Sequence, residues 1–339
     1  MSTRSVFSLL AFALVALGSS LGCADDFMLE RTQKNMAKLH SFHGVLTETG
    51  VLDSGEMKSE LWWKRPNLFL SRVLAPASYA GVTLAYDGKK LVIYYPMANY
   101  AIELDNLSSN LPEDDKVLIA AAYRHNQASF RYSLGGGSSV AKLPTISMDY
   151  TAKKKGYVHP SGSVQVYDKY SFTLAGNLSF PESKKYSYRY DEMKFEEPIA
   201  DAAVTLTLPK NAIVSRWDLA STGLPELEMR EQAHFDLALP KLPEEWKLER
   251  IVRQEGPVPA FSLVYRRGPH YVVLSMWKDL GVRPVSEAHG VPIALHGHRG
   301  RIVIGPVISS YTTALRGTMY VFTSNVPFDE LLTLADTLK

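Results

Sequence analysis

Apolar and polar positions alternate with a period of two over most of this chain. Between Ser41 and Leu74 the alternation places Met57, Ser59, Leu61 and Trp63 on one face of a strand and Lys58, Glu60, Trp62 and Lys64 on the other, so Leu61 and Trp63 are predicted to look inward and Trp62 outward. The apolar runs Val82–Tyr86 and Leu91–Tyr95 flank Asp87-Gly88, a pair suited to a tight hairpin turn. Pro96 ends the second strand because it has no N–H for a ladder, Asn99 suits another turn, and Tyr100–Leu104 alternates again as a third strand. The stretch predicts a β-meander.

Helical patterning is confined to a few segments. Asp25-Asp26 opens an amphipathic stretch to His40 with Leu29, Met36 and Leu39 on one side, and Leu111-Pro112-Glu113-Asp114-Asp115 starts a second that runs to Asn126. Gly135-Gly136-Gly137-Ser138-Ser139 reads as a flexible connection, not a phosphate cradle, because no Lys-Ser/Thr follows it. Strands are expected again at Thr145–Tyr150, Val164–Leu174 across a break, Lys185–Phe195 and Ala203–Leu208. Ser221-Thr222-Gly223-Leu224-Pro225 breaks the pattern as a linker. Beyond it, Phe261–Tyr265 and Tyr271–Trp277 form a hairpin, three short strands follow at Arg301–Val307, Tyr311–Leu315 and Met319–Thr323, and Pro327–Leu338 is an acid-started helix with Phe328, Leu331, Leu332 and Ala335 on one face.

The Asp-Gly hairpin with its Tyr-rich second strand, followed by Pro and Asn-Tyr, resembles the central hairpins of the LolA-like lipoprotein carriers. So does Leu61-Trp62-Trp63-Lys64-Arg65-Pro66, a strand ending in a basic residue and Pro. Tyr188-Arg189-Tyr190, Phe195–Asp201 and Leu206-Thr207-Leu208-Pro209 are similar to the closing strands of that family, so the resemblance covers about residues 25 to 218. The remainder resembles a small domain of unknown function that follows LolA-like domains in some exported proteins, and the layout is similar to YdcC-like sporulation lipoproteins and to the RseB/MucB sensors. The fold implied is mainly β with helices (α+β): an N-terminal unclosed antiparallel β half-barrel with a helical lid over residues 25–218, a linker at 219–228, and a smaller C-terminal α+β domain over 229–339.

The first residues add an export signal. Arg4 precedes the apolar run Val6–Leu17, too short to cross a bilayer but of the length of a secretory core. Ser19-Ser20-Leu21-Gly22-Cys23 resembles a bacterial lipoprotein box, which makes residues 1–23 a lipoprotein-type signal with Cys23 as the lipidated residue. Gly22-Cys23-Ala24 also fits ordinary cleavage that would release a chain starting at Asp25. Cys23 is the single cysteine, so no internal disulfide is possible. The expected location is the cell envelope: membrane-anchored, at the outer membrane if the host has two, or periplasmic.

Charge narrows the partners. With 37 basic and 35 acidic side chains the net charge is +2, which offers no field for a polyanion, and nucleic acid is not an expected partner. His296-Gly297-His298 and His289 suggest a metal site but lack an acidic third ligand, and read as a solvated hairpin. There is no Gly-x-Ser-x-Gly elbow, and Asp114-Asp115 and Glu196-Glu197 are adjacent carboxylates that point apart. No catalytic residue, metal or cofactor is expected, and the chain is not read as an enzyme.

Binding follows from the fold that the resemblance implies. An apolar inner face holds acyl chains by burial alone, and the alternation nominates Leu46, Leu61, Trp63, Leu70, Leu84, Ile93, Tyr95 and Ile102 as its lining, with Arg65 and Arg72 as headgroup contacts. The expected function is to bind lipid or lipoprotein acyl chains as a carrier or chaperone. The alternative is an RseB/MucB-like envelope sensor with a membrane-protein partner.

Overall fold

The structure, a computed structural model, describes residues 25–51, 55–66, 68–105, 128–153, 161–180, 185–218, 223–254, 260–279, 291–295, 298–304 and 309–338. The export signal with Cys23, the helix expected up to Asn126, the first part of the linker, and His289 and His296 lie outside these residues. The described chain is mostly β, with two unclosed sheets and three α-helices: α1 (Asp25–Ala37), α2 (Glu226–Gln232) and α3 (Phe328–Ala335).

The first sheet has 12 strands in the order β12-β6-β5-β4-β3-β2-β1-β11-β10-β9-β8-β7. Its strands are β1 (Ser41–Thr49), β2 (Glu56–Lys64), β3 (Leu68–Ala75), β4 (Thr83–Tyr86), β5 (Leu91–Tyr95), β6 (Tyr100–Asp105), β7 (Phe130–Val140), β8 (Leu143–Ala152), β9 (Ser161–Tyr167), β10 (Phe172–Ser179), β11 (Tyr186–Phe195) and β12 (Ile213–Asp218). The predicted meander is β4-β5-β6. At its first turn the Asp87 carboxylate accepts the N–H groups of Lys89 and Lys90 at 2.9 and 2.8 Å, and Gly88 takes φ 94°. Asn99 adopts the left-handed region at the second turn, φ 47°.

Three expectations are corrected. Gly135–Ser139 is not a loose connection but the middle of β7, paired with β8 across a bulge between Leu134 and Gly137. Partner strand β8 supplies hydrogen bonds that outweigh the low strand propensity of glycine. Ala203–Leu208 is not a strand; a 3-10 turn, Asp201–Val204, packs against β2 and β3, and the edge is filled by β12, which pairs in parallel with β6. Helix α2 begins at Glu226, inside the stretch read as linker.

The second sheet has seven strands, ordered β13-β14-β15-β19-β18-β17-β16. They are β13 (Lys247–Gln254), β14 (Ala260–Arg267), β15 (His270–Lys278), β16 (Val291–Leu295), β17 (His298–Ile304), β18 (Ser309–Leu315) and β19 (Thr318–Ser324). Helix α3 packs on β18 and β19 with Phe328, Leu331, Leu332 and Ala335 buried, the face predicted from its spacing. The two sheets share buried clusters: Val264, Tyr271 and Val273 join Trp63, Phe69 and Tyr86, while Phe180 meets Phe328 edge-on at a ring separation of 5.7 Å. The second sheet therefore lies against the side of the first that carries Trp63.

That packing demands close approaches. At Gly162 an added Cβ would run into the Asn177 carbonyl oxygen and lie 2.7 Å from the Tyr150 hydroxyl. Gly162→Ala is expected to cost about 1–3 kcal/mol by splaying β9 from β10, read as a lower midpoint in urea unfolding. An unchanged midpoint would mean that the approach is looser than described.

Candidate functional site

Residues two apart on a strand share a face, and register partners on neighbouring strands extend that face into rows. The innermost row is largely aromatic and is closed at its centre. From β11 to β12 it runs Phe195, Phe42, Trp63, Phe69, Tyr86, Leu91, Leu104 and Trp217. Trp63, Phe69 and Tyr86 are fully buried, Phe42 stacks on Trp63 at 5.7 Å, and the second sheet covers the row through Val264, Tyr271, Val273 and a Trp217–Trp277 contact at 6.3 Å.

One pleat away the character changes. The next row is Met193, Gly44, Leu61, Ser71, Leu84, Ile93, Ile102 and Ser215, in which large apolar side chains are interspersed with small ones. Leu61 is buried, but Leu84, Ile93 and Ile102 are only half-buried. At about 4.8 Å between strands, Leu61 to Ile102 spans about 19 Å. Beyond it stands Leu46, also half-buried, in register with Tyr190 and Ser59. Tyr95, two residues from Ile93, is buried and stacks against Tyr100 at 6.3 Å. The second sheet thus closes the aromatic row, while an apolar strip along Leu84, Ile93 and Ile102 keeps accessible surface.

Seven of the nominated lining residues, Leu46, Leu61, Trp63, Leu84, Ile93, Tyr95 and Ile102, share this face. Leu70 does not. It pairs with Trp62 and Ala85 on the opposite face, where the 3-10 turn at Asp201–Val204 packs against β2 and β3. The run Leu68-Phe69-Leu70 is apolar at every position, so the alternation cannot assign its phase; the register Trp63↔Phe69 does.

The two arginines are also placed away from the strip. Arg65 donates through Nε to the Leu39 carbonyl oxygen at 2.6 Å and through Nη2 to that of Met36 at 3.1 Å, closing the end of α1. Arg72 lies on the opposite face over the Trp62 ring at 6.0 Å, beside a His43–Trp62 stack at 5.1 Å. Arg65 also lies over the Trp63 ring at 5.9 Å, at the aromatic row and not at Leu84, Ile93 and Ile102. Helix α1 is tied further to the sheet by Asn35, which donates to the Asp168 carbonyl oxygen at 2.9 Å.

One residue of this face was not singled out in the sequence. Phe42, Gly44, Leu46 and Glu48 share a phase on β1, so an acid stands where the pattern calls for an apolar side chain. Glu48 is in register with Met57 and Tyr188, and its Oε1 accepts the Tyr186 hydroxyl at 2.8 Å. Burial pushes its carboxyl up to about 7, against the lowering effect of that hydrogen bond. Burial likewise pushes the Tyr188 phenol up to about 12. Among the described residues no group of three or more His, Cys, Asp or Glu side chains is placed to hold a metal ion, and no helix is long and apolar enough to cross a membrane.

No family model matches the chain. It is 24% identical over 205 residues to an outer-membrane lipoprotein carrier protein of Photorhabdus laumondii subsp. laumondii, an alignment that takes in 52% of this chain and 98% of the relative. It is 28% identical over 190 residues to the protein of that name from Sodalis glossinidius, covering 52% of this chain and 82% of the relative. Among solved structures, a crystal structure of MucB superposes with a TM-score of 0.49 and 15% identity over 95% of this chain and 98% of that one. Over about half its length the chain is similar to outer-membrane lipoprotein carrier proteins, the LolA-like resemblance first carried by its Asp-Gly hairpin and its Trp-Lys-Arg-Pro strand end.

Proposed function

We propose that this is an exported cell-envelope protein that holds acyl chains of a lipid or lipoprotein on the inner face of its 12-stranded sheet. The observation that carries the reading is the half-buried strip Leu84, Ile93 and Ile102 beside an aromatic row whose central members, Trp63, Phe69 and Tyr86, are fully buried. These branched aliphatic side chains pack against the core yet keep apolar surface in water, and a guest chain laid along the strip gains about 0.8 kcal/mol for each methylene it buries. The role agrees with the names of the curated relatives and needs no catalytic residue. Anchoring through an acylated Cys23 belongs to the same proposal, and intact-mass measurement on protein from its own host reads that modification directly.

The test is uptake of a dansyl-labelled acyl chain by the purified chain. Saturable binding is expected, weakened about tenfold or more in Ile93→Lys because a charge on the strip must be desolvated when the chain enters. Ile93 is half-buried, and the melting temperature of the variant serves as the control for its folding. Absence of saturable uptake by the wild-type chain would defeat the reading. Crosslinked recovery of a stoichiometric membrane protein without lipid would point instead to an RseB/MucB-like sensor.

A further inference from the structure

The end of the first sheet where β5, β6 and β12 meet leaves two large apolar side chains in water. Met97, in the short connection Pro96–Ala98 between β5 and β6, is 78% exposed, and Ile213, the first residue of β12, is 61% exposed. The two segments are joined: the Ile213 N–H donates to the Asn99 carbonyl oxygen at 2.9 Å, and Asn99 donates through Nδ2 to that of Asn211 at 2.8 Å. Ile213 is in register with Tyr100, and Tyr100 with Tyr95, so this row lies next to Ile93 and Ile102, about 7 Å further along the strands. The rim therefore continues the half-buried strip.

Its exposure is built in. Gly81 approaches Pro96 so closely that an added Cβ would lie 3.1 Å from the proline ring, and the Gly81 N–H donates to the Val73 carbonyl oxygen at 2.8 Å. Tyr79, in the same connection, packs against the buried cluster that spans both sheets. Charge is also scarce here. Residues 73–86, 91–102 and 202–215, which form these strands and their connections, carry one charged side chain, the exposed Lys210, in a chain that is 21% charged. Next along β12, Arg216 is paired with Glu103 at 3.2 Å. Met97, Ile213 and the small side chains beside them offer far less than the about 800 Å² per partner that a specific protein interface buries. A bilayer surface needs no such area, since it accepts apolar side chains singly and its anionic headgroups attract a lysine.

We propose that this rim is a membrane-docking tip: Met97 and Ile213 enter the boundary between headgroups and acyl chains of a lipid bilayer, and Lys210 faces anionic headgroups. The purpose of the tip rests on the acyl-binding reading above. Docked in this way, the end row of the strip meets the bilayer, and an acyl chain passes between lipid and strip with little exposure to water.

The experiment uses the chain from Asp25 onward, which holds all the described residues, no acyl anchor and no cysteine. Met97→Cys, or Lys89→Cys at the opposite end of the same hairpins, is labelled with nitrobenzoxadiazole and mixed with vesicles of phosphatidylcholine alone or with phosphatidylglycerol. On mixed vesicles the label at position 97 is expected to shift to the blue and brighten about threefold or more, while the label at position 89 stays unchanged. Cosedimentation of the unlabelled chain is expected to fall about tenfold or more when Met97→Asp and Ile213→Asp are combined, because each charge must be dehydrated on entry. Lys210→Gln is expected to lose about fivefold on mixed vesicles and nothing on phosphatidylcholine alone. Melting temperature controls for folding, and dansyl uptake without vesicles reports acyl binding separately. Equal responses at positions 97 and 89, or cosedimentation that the double variant leaves intact, overturn the tip while uptake can still stand. The expected vesicle responses without dansyl uptake support the tip and defeat the acyl-binding reading. No response to either vesicle, with a concentration-dependent dimer that Met97→Asp abolishes, overturns the tip in favour of contact between two copies.

Discussion

Trp63→Ala is expected to lower the free energy of unfolding by about 3–5 kcal/mol, the largest single effect in the first sheet. The indole is only 2% exposed, stacks on Phe42 at 5.7 Å, and stands in register between Phe42 and Phe69 in the row that the second sheet covers. Its removal leaves a hole that neighbours on rigid strands cannot close, so a cavity cost adds to the lost burial. The same truncation at Leu84 is expected to cost clearly less, because part of that side chain is already in water. Urea unfolding of the two variants side by side measures the contrast. Equal losses would show that the strip is as tightly packed as the aromatic row, and the groove would be gone with it.

Glu48→Gln is expected to stabilise the chain at about pH 8 and to leave it nearly unchanged at about pH 4. The carboxyl titrates at about 7 in the folded protein against an ordinary value of 4.5. Between those values the folded state binds more protons than the unfolded state, so stability falls as pH rises through that window and is level above it. At about 1.4 kcal/mol per pH unit the wild-type loss is on the order of 3 kcal/mol. Glutamine keeps an oxygen for the Tyr186 hydroxyl and does not ionise, so it escapes the loss. Thermal unfolding of both chains across this pH range checks it: parallel curves would mean that Glu48 is better solvated than its position implies.

Much of the first sheet was legible because period two is a local property. Met57, Ser59, Leu61 and Trp63 are buried as their alternation with Lys58, Glu60 and Lys64 required, and Asp87-Gly88 turns the hairpin that it announced. Of the eight positions that the alternation nominated, seven share one face of the sheet. Leu70 escaped because an unbroken apolar run has no phase of its own, and Arg65 because nothing in Arg-Pro tells that the carbonyl oxygens of Met36 and Leu39 will be its partners. Glu48 could have been found: it breaks the apolar series Phe42, Leu46 on the inward phase of β1, with Gly44 between them.

By itself, then, the order of residues determined strands, turns and the inward side of each regular strand, since these depend on backbone preferences and on neighbours two to four positions away. Tertiary structure alone decided which strands are adjacent, that glycines 135–137 become part of an edge strand, that β12 joins in parallel, and that the second sheet shuts the aromatic row but not the strip beside it. Those outcomes rest on hydrogen bonds and apolar contacts between segments far apart in the chain, whose loop-closure cost and pairing gain no local pattern encodes.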